Sequence, residues 1–338
     1  PDKILKLFNY KDTVLINSYE KAYYKRIKKV GVDTSAFSNN YSVPVVVIKN
    51  ANQVSYEQQS SSIQLKISSS DKSIYLQKFN VWVNECPLFG MKGIDLSKRK
   101  KKIFDTTVSI PLSIGINNIE TSVVNTNGTE SYRTPLPIVY KPKNKLSTVT
   151  YFIGIGINQF KEEGHNLNWS VKDIHDLAIK FKEKCTDNFM LDTLFDKDVT
   201  LKNILAIKEK LKKLGTNDKV ILAYSGHGML SKEFDYYLST YEINFNEPQQ
   251  NGLLYDELEK LFDGIAPRKK LMLIDACHSG EVDKEDLVMA EQAKNELESK
   301  GIRGVSLKAR PTKKAGSQNS FELMQNYFAN VSRTTGTT

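Results

Sequence analysis

KVILAYSGHG (residues 219–228) and KLMLIDACHSG (residues 270–280) decide how this 338-residue chain is read. Each begins as an apolar run of strand length, the pattern of a strand buried on both faces. Each ends in a glycine-bounded turn that carries a reactive side chain. The first turn is Ser225-Gly226-His227-Gly228; the second is Ala276-Cys277-His278-Ser279-Gly280. Fifty residues separate His227 from Cys277, with one helix predicted between them. Sites in open α/β sheets lie beyond the carboxyl ends of the strands. Neighbouring parallel strands joined by a helical crossover bring these two side chains together.

The pair has a chemical use. A thiol is mostly protonated at neutral pH, and its thiolate is the strong nucleophile. A nearby imidazole takes the proton or stabilises the thiolate. Glycines let a carbonyl approach the backbone closely, and the N–H groups of Gly228 and Cys277 are then placed to hold an oxyanion. Taken alone, a cysteine reads as a small buried hydrophobe and a histidine as a hydrogen-bonded structural residue. Their joint position at two strand ends, each beside glycine, favours the chemical reading.

The flanking sequence has the same grammar. TVTYFIGIGI (residues 148–157) reads as another strand buried on both faces. Residues 169–185 have helical spacing, with Val171, Ile174, Leu177, Ala178 and Phe181 on one face. LDTLF (191–195) reads as a short strand, 200–214 as a helix capped by Thr200, and 256–262 as a helix. Strands alternating with helices predict a mostly parallel sheet with helices on both faces over residues 146–338.

Upstream, residues 43–145 show β-branched runs and period-two alternation without helical stretches. Asn127-Gly128 between two such runs is a hairpin signal. This part is expected to be a small β-sandwich, ending in the linker KPKNK (141–145). Residues 1–42 read as an extension with one short helix over 18–29.

Composition narrows the classes. Hydrophobic content of 40% and charged content of 26% fit an ordinary folded protein. Lys and Arg number 48 against 39 Asp and Glu, a net charge of +9. The excess sits in residues 98–102 and 308–314, which read as solvated loops without the interleaved aromatics of a nucleic-acid platform. No nucleic acid is expected as a partner. Three cysteines without a C-x-x-C pair support neither a disulfide framework nor a zinc site, and no metal or cofactor is expected. Apolar runs are strand-sized, so no membrane partner is expected. The chain starts at Pro1, which suggests a fragment; no signal peptide is visible, and the expected location is cytoplasmic.

The paired S-G-H-G and D-x-C-H-S-G motifs, Ser225–Gly228 and Asp275–Gly280, resemble those of caspase-like cysteine peptidases, closest to the bacterial and metacaspase branch. The resemblance covers about residues 148–338, and more weakly the strand-rich part before it, which looks like the immunoglobulin-like sandwich of some bacterial multidomain members. It implies an endopeptidase with Cys277 as nucleophile and His227 as base, acting on a protein or peptide. His278 does not match the base position. Caspases proper carry Gln two residues before the nucleophile and select Asp; this chain has Asp275 there. In metacaspase-like enzymes that Asp lines the S1 pocket with an Asp early in the first helix, which Asp173 matches. Two carboxylates favour Arg or Lys at the cleaved position; the other reading of Asp275 is a loop cap. Calcium-dependent members hold the ion on an acidic run after S-G-H-G, and residues 229–250 lack a dense one. The linker 301–319 is the expected autoprocessing site. The family continues into strands absent here, which implies either a separate C-terminal small subunit or a truncated sequence. The alternative is a catalytically silent scaffold of caspase fold.

Overall fold

The computed structural model describes residues 2–11, 13–29, 42–185, 188–231 and 235–278. The expected processing linker, 301–319, lies outside the described residues. The chain opens with helices α1 (Asp2–Leu7) and α2 (Thr13–Lys29), joined by an ion pair from Lys6 to Glu20 at 3.0 Å. Helix α2 starts five residues before its expected start at 18. Ile16 and Tyr19, three residues apart, give its early part a buried edge, which the β-branched Thr13 and Val14 obscure in the sequence.

Nine strands follow. They are β1 (Val45–Ile48), β2 (Glu57–Gln58), β3 (Ser62–Ser70), β4 (Leu76–Val83), β5 (Cys86–Pro87), β6 (Ile94–Asp95), β7 (Ile103–Pro111), β8 (Gly115–Asn125) and β9 (Thr134–Tyr140). Among the described residues they form a sheet β1-β3-β7 and a second sheet β2-β9-β8-β4-β5 with β6 on β4. Alternation sets their inner faces. In β3, Ile63, Leu65 and Ile67 point inward while Gln64 and Lys66 face solvent. These residues share one core with Phe79, Val81, Ile110, Ile119, Val123 and Ile138 of the other strands. After β8 the chain turns at Asn125–Thr129: Gly128 donates its N–H to Asn125 O at 2.9 Å and takes φ +77°. Asn125 Oδ1 accepts from the N–H groups of Asn127 and Thr129. The hairpin signal therefore marks a real turn, with the strain of positive φ borne by glycine.

The remaining elements are β10 (Val149–Gly156), α3 (Ser170–Lys184), β11 (Asn188–Phe195), α4 (Leu201–Leu211), β12 (Lys219–Leu230), β13 (Tyr236–Leu238), β14 (Leu253–Leu254), α5 (Tyr255–Phe262) and β15 (Lys269–His278). The sheet order is β11-β10-β12-β13-β14, with β15 beside β12. β11, β10, β12 and β15 are mutually parallel where they pair; β13 and β14 are antiparallel. Helix α3 covers the face of Phe152, Ile221, Ala223, Leu271 and Leu273. Helices α4 and α5 cover the other face, where Ile204, Leu211, Leu258 and Phe262 meet Ile153, Ile155, Leu222 and Tyr224. Thr200 Oγ1 accepts the Asn203 N–H at 3.2 Å and caps α4, which ends at Leu211 rather than 214. β15 was expected to be buried; Leu271 to Ile274 are only half-buried, because among the described residues β15 pairs with β12 alone.

One expectation is corrected outright. His227 and Cys277 do not sit in turns past their strands. β12 continues through S-G-H-G to Leu230 and β15 reaches His278. Where β10 ends at Gly156, β12 keeps β15 as far as Gly228 and gains β13 from Gly228 onward, and this ladder keeps the motif extended.

The two strand-rich parts touch through the loops before β15 and β12. Arg268 Nη1 donates to Ser113 Oγ at 2.8 Å and Asn117 Oδ1 at 3.1 Å, and Nη2 to the Pro111 carbonyl. Asp263 accepts the Met91 N–H at 2.9 Å, and Asn217 accepts that of Ile114 at 2.8 Å. Burial pulls the Arg268 pKa down to about 10. No described helix is long and apolar enough to cross a membrane.

Candidate active site

The β12–β15 register sets His227 opposite Cys277, Ser225 opposite Asp275, and Gly228 opposite His278. Paired strands run about 4.8 Å apart, so the backbones of the two candidate residues are immediate neighbours. The side chains of Cys277 and His278 lie outside the described structure.

His227 is half-buried and held from two sides. Its ring Nε2 lies 2.8 Å from the His165 carbonyl oxygen. A carbonyl only accepts, so Nε2 carries the proton and the neutral ring keeps its lone pair on Nδ1. Burial pushes its pKa below the ordinary histidine value; the bond to the His165 carbonyl works the other way, and the His165 ring adds to the lowering. The main chain is braced by Ser239, whose Oγ accepts the His227 N–H at 3.0 Å and whose N–H donates to the His227 carbonyl at 2.9 Å. The fully buried Tyr224 hydroxyl reaches Ser239 Oγ at 2.8 Å and its carbonyl at 2.9 Å.

The motif glycines have a packing role rather than a turn role. Neither Gly226 nor Gly228 takes a positive φ. A Cβ at Gly226 would stand 2.6 Å from both Tyr224 Oη and Ile157 Cγ2; one at Gly228 would overlap Tyr236 Oη. Gly228 also pairs with Leu238 of β13, so it lies within the sheet rather than at an open loop.

Asp275 is exposed, and one oxygen lies 3.4 Å from Ser225 Oγ. Asp173 is exposed in the first turn of α3. The α3 start packs on Gly156, where a Cβ would meet the Ser170 carbonyl at 3.0 Å. Gly156, Ser225 and Asp275 are consecutive partners across β10, β12 and β15. Both carboxylates therefore stand at the carboxyl edge of the sheet, on the α3 side. His175 is exposed on α3, Cys185 is half-buried, and Cys86 is buried with its thiol 3.6 Å from the Arg268 carbonyl. Among the described residues no group of three His, Cys, Asp or Glu side chains gathers to hold a metal.

Sequence reasoning missed His165, Ser239 and Tyr224. His165 and Ser239 lie in loops without periodicity. His165 acts through a main-chain carbonyl, which leaves no mark in residue identity. Tyr224 reads as one more apolar residue of a buried strand.

The chain is similar at low identity to several solved structures. A protein from Geobacter sulfurreducens, GSU0716, is 20% identical with a TM-score of 0.32, over 56% of this chain and 66% of that one. The fibronectin(III)-like modules of Clostridium thermocellum CbhA are 12% identical with a TM-score of 0.24, over 30% of this chain and 48% of that one. The chain thus spans less than two thirds of either. No curated protein matches it. A family model described as the caspase domain matches residues 153–329, more than half of the chain and inclusive of β12 and β15. The chain belongs to the caspase-domain family of cysteine peptidases.

Proposed function

We propose that this chain is a cysteine endopeptidase in which Cys277 is the nucleophile and His227 the base. The observation that carries the reading is the facing register of these two residues, with the His227 Nε2 proton engaged by the His165 carbonyl. In the proposed cycle Nδ1 takes the thiol proton, and the thiolate adds to the scissile carbonyl. The N–H groups of Gly228 and Cys277 are the proposed oxyanion donors; an entering carbonyl competes there with the sheet partners of Gly228. The imidazolium returns its proton to the departing amine, leaving a thioester that water hydrolyses to free the thiol.

Asp275 and Asp173 are the proposed S1 carboxylates, supported by their shared edge of the sheet, and they select Arg or Lys by charge. The substrate is a protein or peptide. Residues 301–319 are the proposed autoprocessing segment, and a C-terminal small subunit is the proposed partner. In this reading residues 43–145 are an immunoglobulin-like sandwich domain, 146–338 the peptidase domain and 1–42 an extension.

The test is hydrolysis of fluorogenic peptides ending in Arg, Lys or Asp, by the chain with any C-terminal partner. Cys277→Ala is expected to abolish turnover, and Asp275→Ala to lower kcat/KM for basic peptides by about 100-fold. Preference for Asp would sink the S1 assignment, and absence of turnover on every peptide would favour a scaffold. The acid limb of kcat/KM is expected below the ordinary histidine value. His227 must be neutral to accept a proton, and burial lowers the pH at which it protonates.

A further inference from the structure

His227 is flanked by three rings from loops at the carboxyl ends of the strands. Phe160 lies after β10 at a centroid distance of 5.3 Å, His165 at 6.4 Å and Phe245, between β13 and β14, at 5.6 Å. His165 and Phe245 stack face to face, 3.7 Å apart and within 9° of parallel. Phe245 also meets Phe160 edge-on at 5.2 Å.

We propose that the His165–Phe245 stack is a positioning clamp: it holds the His165 carbonyl on His227 Nε2 and so keeps Nδ1 as the nitrogen with the lone pair. The inference rests on the reading of His227 as the base. The carbonyl belongs to the turn 158–167, closed by Leu167 N–H to Asn158 O at 2.7 Å and by Phe160 N–H to Asn166 Oδ1 at 2.8 Å. That turn is tied to the Phe245 loop by Lys161 N–H to Tyr241 O at 3.0 Å and by Lys161 with Glu242 at 3.8 Å. At His165 itself, which presents the carbonyl, the stack joins the two loops. Loss of the stack frees His165 to move, and Nε2 then exchanges its carbonyl for water. Water accepts from either ring nitrogen, so the two neutral tautomers mix and part of the protein presents N–H where the base needs a lone pair. The segment after β12, which lacks an acidic cluster, instead supplies Tyr241 and Phe245 to this clamp.

The ionisable groups around the base are those of several elements. His165 comes from the turn, with Glu162 3.9 Å from its ring. Lys161 and Glu242 pair across the loops. Asp275 of β15 is reached through Ser225, and Cys277 occupies the facing position. Asp173 stands in the first turn of α3.

The test reads the His227 ring directly by 15N NMR in the Cys277→Ala protein, beside kinetics in the Cys277 protein. His165 is an exposed position, so His165→Ala folds, and it is paired with Phe245→Ala. The parent is expected to show the Nε2–H tautomer. Both alanine variants are expected to show mixed tautomers and kcat about ten-fold lower with KM within about two-fold. His165→Phe restores the stack and is expected to restore the Nε2–H tautomer. An unchanged tautomer in both alanine variants would overturn the clamp. A tautomer change in a protein that cuts no peptide would leave the clamp standing and remove the peptidase reading.

Discussion

β3 and β12 are both strands, yet they meet solvent in opposite ways. β3 alternates, with Leu65 and Ile67 sealed and Lys66 exposed between them. β12 is buried without a break from Val220 to Gly226. The first belongs to sheets that share one core between them, the second to a sheet with helices on both faces. A strand buried on both faces is accessible only toward its end, and His227, three residues before the end of β12, is where the burial first breaks. The difference sets the strand ends of the α/β part, where the proposed chemistry lies, apart from the N-terminal sheets.

The sharpest break of this contrast is Ala223→Asp in β12 beside Lys66→Asp in β3. The first puts a carboxylate against Phe152 and Ile174 and is expected to cost about 4 kcal/mol or more. The second sits on the solvent face and is expected to stay within about 0.5 kcal/mol. Urea unfolding of both variants measures the gap, and equal costs would end the distinction.

Next in size is Phe79→Ala, which removes the ring that packs edge-on against Phe104 at 5.5 Å and costs about 3–5 kcal/mol. Hydrogen exchange shows how far the damage spreads. Arg268 couples the two parts, so lost protection is expected to extend into the start of β15 and not into β11. Arg268→Met strands the acceptors at Pro111, Ser113 and Asn117 and is expected to cost about 1–3 kcal/mol. In that variant the effect of Phe79→Ala on β15 is expected to shrink, with the Asp263–Met91 and Cys86–Arg268 main-chain contacts left in place. Protection of β15 that ignores Phe79→Ala from the outset would show the N-terminal sheets to be independent. The smallest effect is that of Thr200→Ala, about 1 kcal/mol, from one lost cap at α4; thermal unfolding reads it as a few degrees.

Signals carried by local chemistry were legible. Thr200 announced its cap, Asn127-Gly128 its turn, and the unbroken apolar runs of β10 and β12 their burial on both faces. The adjacency of β12 and β15 followed from the crossover argument, though the connection also holds β13 and β14. What escaped depends on partners distant in sequence. The extension of β12 through S-G-H-G is imposed by β13 and β15, and nothing local in a Gly-x-Gly stretch reports it. His165 escaped because a carbonyl serves regardless of the side chain attached to it.

The two motif glycines carry a consequence for how this sequence can change over time. Each missing Cβ is space already taken by a tyrosine hydroxyl, Tyr224 at Gly226 and Tyr236 at Gly228. Residues 228 and 236 are therefore an epistatic pair in which the tyrosine must yield before the glycine can, and 226 is tied in the same way to both Tyr224 and Ile157. A lineage that first replaced the Tyr236 ring by a smaller side chain would gain access to alanine at 228, since Cζ stands 2.7 Å from that Cβ even without the hydroxyl; the reverse order passes through an overlap that the strand has no room to absorb.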